Sequence, residues 1–325
     1  MLAGTPLPIA TLFERPYTWR RIEGSGLIRG GCKPLYGRRI GVRGVMKRIV
    51  LVGFLVAVLL LAGCAGQQGS GGSEQGGPGA EQSCDIQNPP LFKDGVLTVA
   101  TDKPAYPPWF EGGPENYSGF EGEVANEVAK RMDLPIEWVV EPFNKSYAPG
   151  AKDYDFDINQ ITITPEREQA VDFSDGYFGN AQGVLALKDS PVADAQSISD
   201  LKDAQLGAQV GTTSLDFINE TVKPTTDPKV YDTTNDAKSA LESGQIDALV
   251  TDLVTTVYLR DFEIKNSEVV GQYPRNEQFG MLFEQGNPLV GCVNQVLGEM
   301  KEDGTLQKLQ KEYLQQYLSV PTLKE

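Results

Sequence analysis

Several residues of this 325-residue chain stand where charge or hydrogen bonding could be aimed at a small molecule. Arg167 follows Thr164 and Pro165, which read as a helix N-cap and first helical residue, so the guanidinium falls in a first turn. There it could grip a carboxylate with two parallel bonds. Its ordinary role would be a surface charge balancing Glu166 and Glu168. Asp252 closes an apolar strand over 246–251, where it could hold a cation, cap the next helix, or do both. Thr213 comes after Gly211 and Thr212 and opens a helix, so its backbone N–H is free for an anion; taken alone, the segment is a capped turn. Asp102 ends the first apolar strand. The chain contains no histidine, which removes the commonest general acid/base and the commonest metal ligand. No cysteine cluster has metal-ligand spacing, and no pair of carboxylates is spaced as a catalytic dyad. These residue types suit charge recognition rather than catalysis. We therefore expect no enzyme, no metal and no cofactor.

The elements that must position these residues follow from hydrophobic period. Strands are expected at 96–100, 136–140 and 156–160, with a helix over 123–132 that Pro135 ends. That β-α-β order implies a parallel sheet. The pattern then restarts. Strands are expected at 184–187, 206–210, 229–231 and 246–251, with short ones at 269–270 and 279–283. Ser197 caps a short helix, and further helices cover 235–241 and 253–260. Two apolar stripes, Val293 to Met300 and Leu306 to Tyr317, close the chain as helices. The expectation is an α/β protein of two lobes with a cleft at the hinge, each lobe a mixed, mostly parallel sheet flanked by helices.

Charge separates the chain into a start and a body. The whole carries 29 Lys and Arg against 44 Asp and Glu, a formal charge of -15. Residues 1–64 hold ten of the basic residues and only two acids, so the body is strongly acidic and a poor partner for nucleic acid. Met46-Lys47-Arg48 followed by the apolar run 49–62 has the form of a signal peptide, too short for a span. Leu61-Ala62-Gly63-Cys64 resembles a lipobox, which implies cleavage before Cys64 and lipidation of its thiol. Residues 1–45 read as a doubtful upstream extension and 46–63 as the signal peptide. Residues 64–83, rich in Gly, Ser and Gln, read as the lipidated cysteine and a flexible tether. Cys84 and Cys292 then form an even pair in an exported domain, which reads as a disulfide; two free buried thiols are the alternative. Such a bridge would assign 84–183 plus 277–325 to lobe 1 and 184–276 to lobe 2, with two crossings between them.

Three stretches resemble the amino-acid-binding branch of the periplasmic binding proteins, the family-3 extracellular solute-binding proteins. They are Thr101 to Phe110 with Gly119-Phe120-Glu121-Gly122-Glu123; Ile161 to Arg167 running on to Val171-Asp172-Phe173-Ser174-Asp175; and Gly211-Thr212-Thr213 with Gly244 to Asp252. Gly122 departs from the pattern, which often has an apolar residue between the two acids. Phe143 to Gly150 is also unlike the usual helix there.

The resemblance implies the type II periplasmic-binding-protein fold and a free amino acid as ligand. Arg167 would take the carboxylate together with the Thr162 and Thr213 N–H groups. Asp252, the Thr162 hydroxyl and the Gln160 carbonyl would take the ammonium. Tyr106 would lay its ring on the aliphatic part, with Trp109 and Phe143 as further walls. Asp102 would face a cationic side chain or be structural, and Lys145 would greet an acidic side chain or be a solvated lysine. The implied function is the substrate-binding component of an ABC importer for a polar or charged amino acid. It would work by lobe closure, as a monomer anchored by lipid on the extracytoplasmic face and docking on a membrane permease. The alternatives are an exported amino-acid sensor and a prephenate/arogenate dehydratase of the same fold.

Overall fold

The computed structural model describes residues 84–325. The upstream extension, the signal peptide, the tether, Cys32 and Cys64 lie outside the described residues. Strand β1 (Leu97–Thr101) is buried throughout, and its parallel partner β2 (Ile136–Val140) follows helix α1 (Phe120–Arg131). On its other side β1 pairs in parallel with the two-residue β3 (Phe156–Asp157). Runs of Val, Leu and Ala with no alternation fit a strand covered on both faces. Between β2 and β3 lies α2 (Phe143–Ser146), a single turn. A short β4 (Val171–Phe173) finishes this half of the chain.

The second sheet begins with β5 (Phe178–Leu187) and continues through β6 (Leu206–Gln209), helix α3 (Thr213–Phe217) and β7 (Lys229–Tyr231). Next come α4 (Thr234–Glu242), β8 (Ala248–Asp252) and α5 (Leu253–Tyr258). Strand β9 (Ser267–Phe279) returns alongside β5, antiparallel, with register shifts at Asn180/Ala181 and Val184/Leu185. β10 (Leu282–Glu284) rejoins the first sheet, and α6 (Leu289–Glu302) and α7 (Thr305–Tyr313) follow. The sheet orders are β2-β1-β3-β10-β4 and β7-β6-β8-β5-β9. Both sheets are mixed and flanked by helices, which is the expected two-lobed type II fold.

Cys84 and Cys292 are joined as a disulfide with Cα atoms 5.0 Å apart, tying the first described residue to α6. Cys292 itself is fully buried in the first lobe's core beside Val293, Val296 and Leu297. No helix among the described residues is long and apolar enough to cross a membrane.

The expected lobe boundaries at 183/184 and 276/277 fall inside the paired strands β5 and β9, which run unbroken from one lobe toward the other. The expected brief strand at 269–270 is thus part of the beginning of a 13-residue one. A correction is needed at the end of the chain. The tail beyond Val320 was expected in lobe 1, but it packs on lobe 2. Thr322 bridges to Gln272 and Lys324 to Ser197, and the Leu323 N–H donates to the Gln272 carbonyl at 2.8 Å. Leu323 is 3% exposed in the second lobe's apolar cluster, against Gly271, where a Cβ would meet it at 2.7 Å. Burying one leucine is worth about 1.5–3 kcal/mol, enough to draw a short polar tail across. The chain therefore passes between the lobes three times.

Candidate functional site

Every parallel strand that matters delivers a loop to the same side. The C-terminal end of β1 gives Asp102, β3 leads to Asn159 and Gln160, β6 to Thr212 and Thr213, β7 to Thr233–Asn235, and β8 ends in Asp252. These loops face one another across a cleft, as ligand sites do in open α/β sheets. The cleft is also lined by Tyr106, Phe143, Thr162 and Arg167, so all but one of the residues expected at the site come together there.

The exception is Trp109, which is a correction. Its ring is fully buried, edge-on to Phe120, Phe178 and Phe279, and its indole N–H donates to the Thr255 hydroxyl at 2.9 Å. An indole with its one polar atom satisfied is better buried than exposed to a ligand. Its backbone still serves the site, because the Trp109 carbonyl accepts the Glu121 N–H at 2.9 Å and so fixes the start of α1. The two departures from the family pattern also have physical reasons. A Cβ at Gly122 would stand 3.2 Å from the Tyr117 backbone, and α2 ends after one turn so that Tyr147 turns toward Arg167. Lys145 is exposed and does not line the cleft.

Arg167 is 8% exposed. It begins a 3-10 turn, Arg167–Gln169, whose first N–H is accepted by the Thr164 hydroxyl at 3.3 Å, so the cap read from sequence is present but the turn is tighter than α. Its Nη1 donates to the Thr162 carbonyl at 2.6 Å and its Nη2 to the Gly211 carbonyl of the other lobe at 2.9 Å. The Phe143 and Tyr147 rings flank it, with Cζ 5.5 and 5.0 Å from their centroids. Burial lowers its pKa from the ordinary guanidinium value. Among the described residues it has no ion-pair partner. A guanidinium held by carbonyls and rings, with no carboxylate of its own, has donors left for an incoming anion.

Thr162 is set by a bridge to Phe279 at the end of β9, and its hydroxyl lies 3.4 Å from that of Thr213 across the cleft. Thr213 begins α3 after the Thr212 cap. The hydroxyl of Thr213 also meets the Gln182 carboxamide at 3.2 Å and Glu277 at 3.3 Å. Gln182 and Glu277, on the two crossing strands, were not expected at the site. Tyr147 was missed too; its hydroxyl sits where a Gly211 Cβ would be, 1.9 Å away, so it closes on lobe 2 over Arg167.

At the other charge, Asp252 accepts the Thr255 N–H at 2.9 Å as the cap of α5, and it also lines the cleft. Burial pushes its pKa up to about 6. Gln160 lines the same cleft with φ of 50°, a left-handed conformation that costs a non-glycine residue energy. The Tyr106 hydroxyl, Asn159 Nδ2 and Asn180 Oδ1 are buried on the cleft wall without partners. Unpaired buried polar groups on a cleft wall are what a polar ligand or ordered water would satisfy. Asp102 accepts the Lys103 N–H at 2.6 Å and the Phe143 N–H at 3.2 Å, so it shapes the wall as well as facing the cleft. No group of metal-binding residues occurs among the described residues.

A family model described as bacterial extracellular solute-binding proteins, family 3, matches residues 97–316. The chain belongs to this family. Two relatives from named organisms are each 30% identical to it. The L-cystine-binding protein TcyJ of Escherichia coli (strain K12) aligns over 223 residues, 67% of this chain and 82% of that protein. The ABC transporter glutamine-binding protein GlnH of Bacillus subtilis (strain 168) aligns over 275 residues, 81% of this chain and 94% of that protein. Among solved structures, an ancestral arginine-binding protein bound to arginine matches with a TM-score of 0.60 and 31% identity, over 68% of this chain and 98% of the other. These relatives are amino-acid-binding proteins and none of the three is named as an enzyme.

Proposed function

We propose that this protein is the substrate-binding component of an ABC-type amino-acid importer and holds one free α-amino acid between its lobes. The observation that carries this reading is a matched pair of vacant charges. Arg167 and Asp252 line one cleft from opposite lobes, and neither has an ion-pair partner among the described residues. A zwitterion supplies both missing partners at once. In this reading Arg167 and the Thr162 and Thr213 N–H groups hold the carboxylate. Asp252, the Gln160 carbonyl and the Thr162 hydroxyl hold the ammonium, and the Tyr106 and Phe143 rings cover the aliphatic stem. Asp102, Gln209 and Asn235 on the cleft wall suit a side chain that is cationic or a neutral amide better than an acidic one. Relatives named for arginine and glutamine support that choice. Closure withdraws the charges from water, where their attraction grows, and the closed form is what a permease reads. Lipidation at Cys64 would hold the monomer at the extracytoplasmic face, with 64–83 as its tether.

Thermal unfolding of refolded, ligand-stripped protein against the twenty amino acids and L-cystine tests this. A ligand at about 100 times its dissociation constant adds about 2.7 kcal/mol, a rise of several degrees. No rise with any of them would refute the reading.

A further inference from the structure

Glu121 is fully buried in the first turn of α1, in the signature Gly119 to Glu123, and nothing assigned so far uses its charge. Acids in a first turn ordinarily complement the helix dipole from the surface, which does not explain a carboxylate sealed in the core. Its contacts do. Oε1 accepts the backbone N–H of Gln160 at 2.8 Å, and the carboxylate also accepts the Gln160 carboxamide and the Tyr177 hydroxyl. Three donors converge on one group, an arrangement that favours the carboxylate, whose two oxygens only accept. Two of the three belong to Gln160, the residue on the cleft wall whose φ of 50° needs outside support.

We infer that Glu121 is a positioning residue for the ligand's ammonium: its carboxylate clamps the Gln160 turn from behind in the left-handed conformation that forms that part of the cleft wall. This rests on the amino-acid reading above. The clamp is electrostatic as well as steric. Tyr177 faces Glu121 from the segment before β5, Asp252 from the end of β8 and Asp157 from β3. Burial first, and then the negative charge of Asp252, push Glu121 up to about 7, against the hydrogen bonds that pull it down. A ligand ammonium at the cleft offsets that crowding and favours the carboxylate. Binding and deprotonation of Glu121 are therefore linked, and affinity falls as pH drops below about 7.

The test is calorimetric titration of L-arginine and L-glutamine from pH 5.5 to 8 in protein produced from the full chain, wild type and Glu121→Gln. In the variant an amide NH2 replaces the oxygen that accepts the Gln160 carboxamide, which must turn over or lose that bond. The variant should bind about tenfold more weakly at pH 7.5, and its pH profile should flatten relative to wild type, leaving the titration of Asp252. Wild-type affinity at pH 7.5, or a loss with the pH profile unchanged, overturns the inference. Should Glu121→Gln not fold, Tyr177→Phe keeps the volume and removes one donor. It should weaken binding a few-fold and move the profile to higher pH; an unaltered affinity and profile overturn the inference. A wild type that binds neither probe nor any other amino acid refutes the amino-acid reading instead, and that result is distinct from a variant that matches a binding wild type.

Discussion

The two charged ends of the cleft are built on opposite principles. At Arg167 a cation is prepared by neutral groups: two backbone carbonyls fix its plane and two aromatic rings flank it. At Asp252 and Glu121 carboxylates are crowded together in a dry region, and their pKa values rise to about 6 and about 7. The cation end is preorganised and largely indifferent to pH. The anion end is strained by its own burial and charge. On the proposed reading, the difference teaches where discrimination would reside: geometry would select the ligand's carboxylate, and electrostatic relief its ammonium.

The largest expected effect breaks the cation end. Arg167→Ala leaves the Thr162 and Gly211 carbonyls without their donor and removes the buried guanidinium, so affinity should fall at least about a hundredfold, about 2.7 kcal/mol. Arg167→Lys should recover little of it, because an ammonium cannot reproduce the planar fork. Titration calorimetry reads both.

A smaller effect separates grip from closure. Gly211→Ala would drive a Cβ into the Tyr147 hydroxyl at 1.9 Å, at a φ of 70° that suits glycine. It should obstruct closure, raising the dissociation rate about tenfold or more and blunting ligand-induced compaction in X-ray scattering. Combining it with Tyr147→Ala should restore part of the loss by clearing the hydroxyl. No recovery in the double variant would place the fault in the backbone alone.

Smaller again is the third crossing. A chain ending at Val320 loses the Leu323 seat and should melt several degrees lower, with affinity changed only a few-fold.

A last test, on stability rather than affinity, sharpens the anion end. Asp157, Glu121 and Asp252 keep protons in the fold, at pKa values of about 8, 7 and 6. The unfolded chain releases those protons near pH 4 to 4.5. The folded form therefore binds more protons than the unfolded one across this window, and unliganded stability falls as pH rises from about 4.5 to about 8. Thermal scans should show that decline, and Asp157→Asn should make it shallower.

Much of this was legible in the sequence because the buried parallel strands carry unbroken apolar runs and their ends carry the charged residues. The hinge was less so. Strand β9 includes Gln272, Arg275, Asn276 and Gln278, a polar run that looks like loop because it links lobes rather than filling a core. Trp109 lies among aromatics and prolines that resemble a ligand wall, and only its edge-on packing and its bond to Thr255 place it in the core. Glu121 stood within a quoted signature, yet an acid in a first helical turn gives no hint of burial. The seat of Leu323 had a single apolar residue as its signal.

The most direct test of the zwitterion account compares a bound amino acid with two analogues, one with the carboxylate amidated and one with the amine removed. In calorimetric titration the account predicts that each loses at least about a hundredfold, because each leaves Arg167 or Asp252 unpaired in a closed cleft. An analogue bearing only one of the two charges that binds as tightly as the amino acid would contradict it.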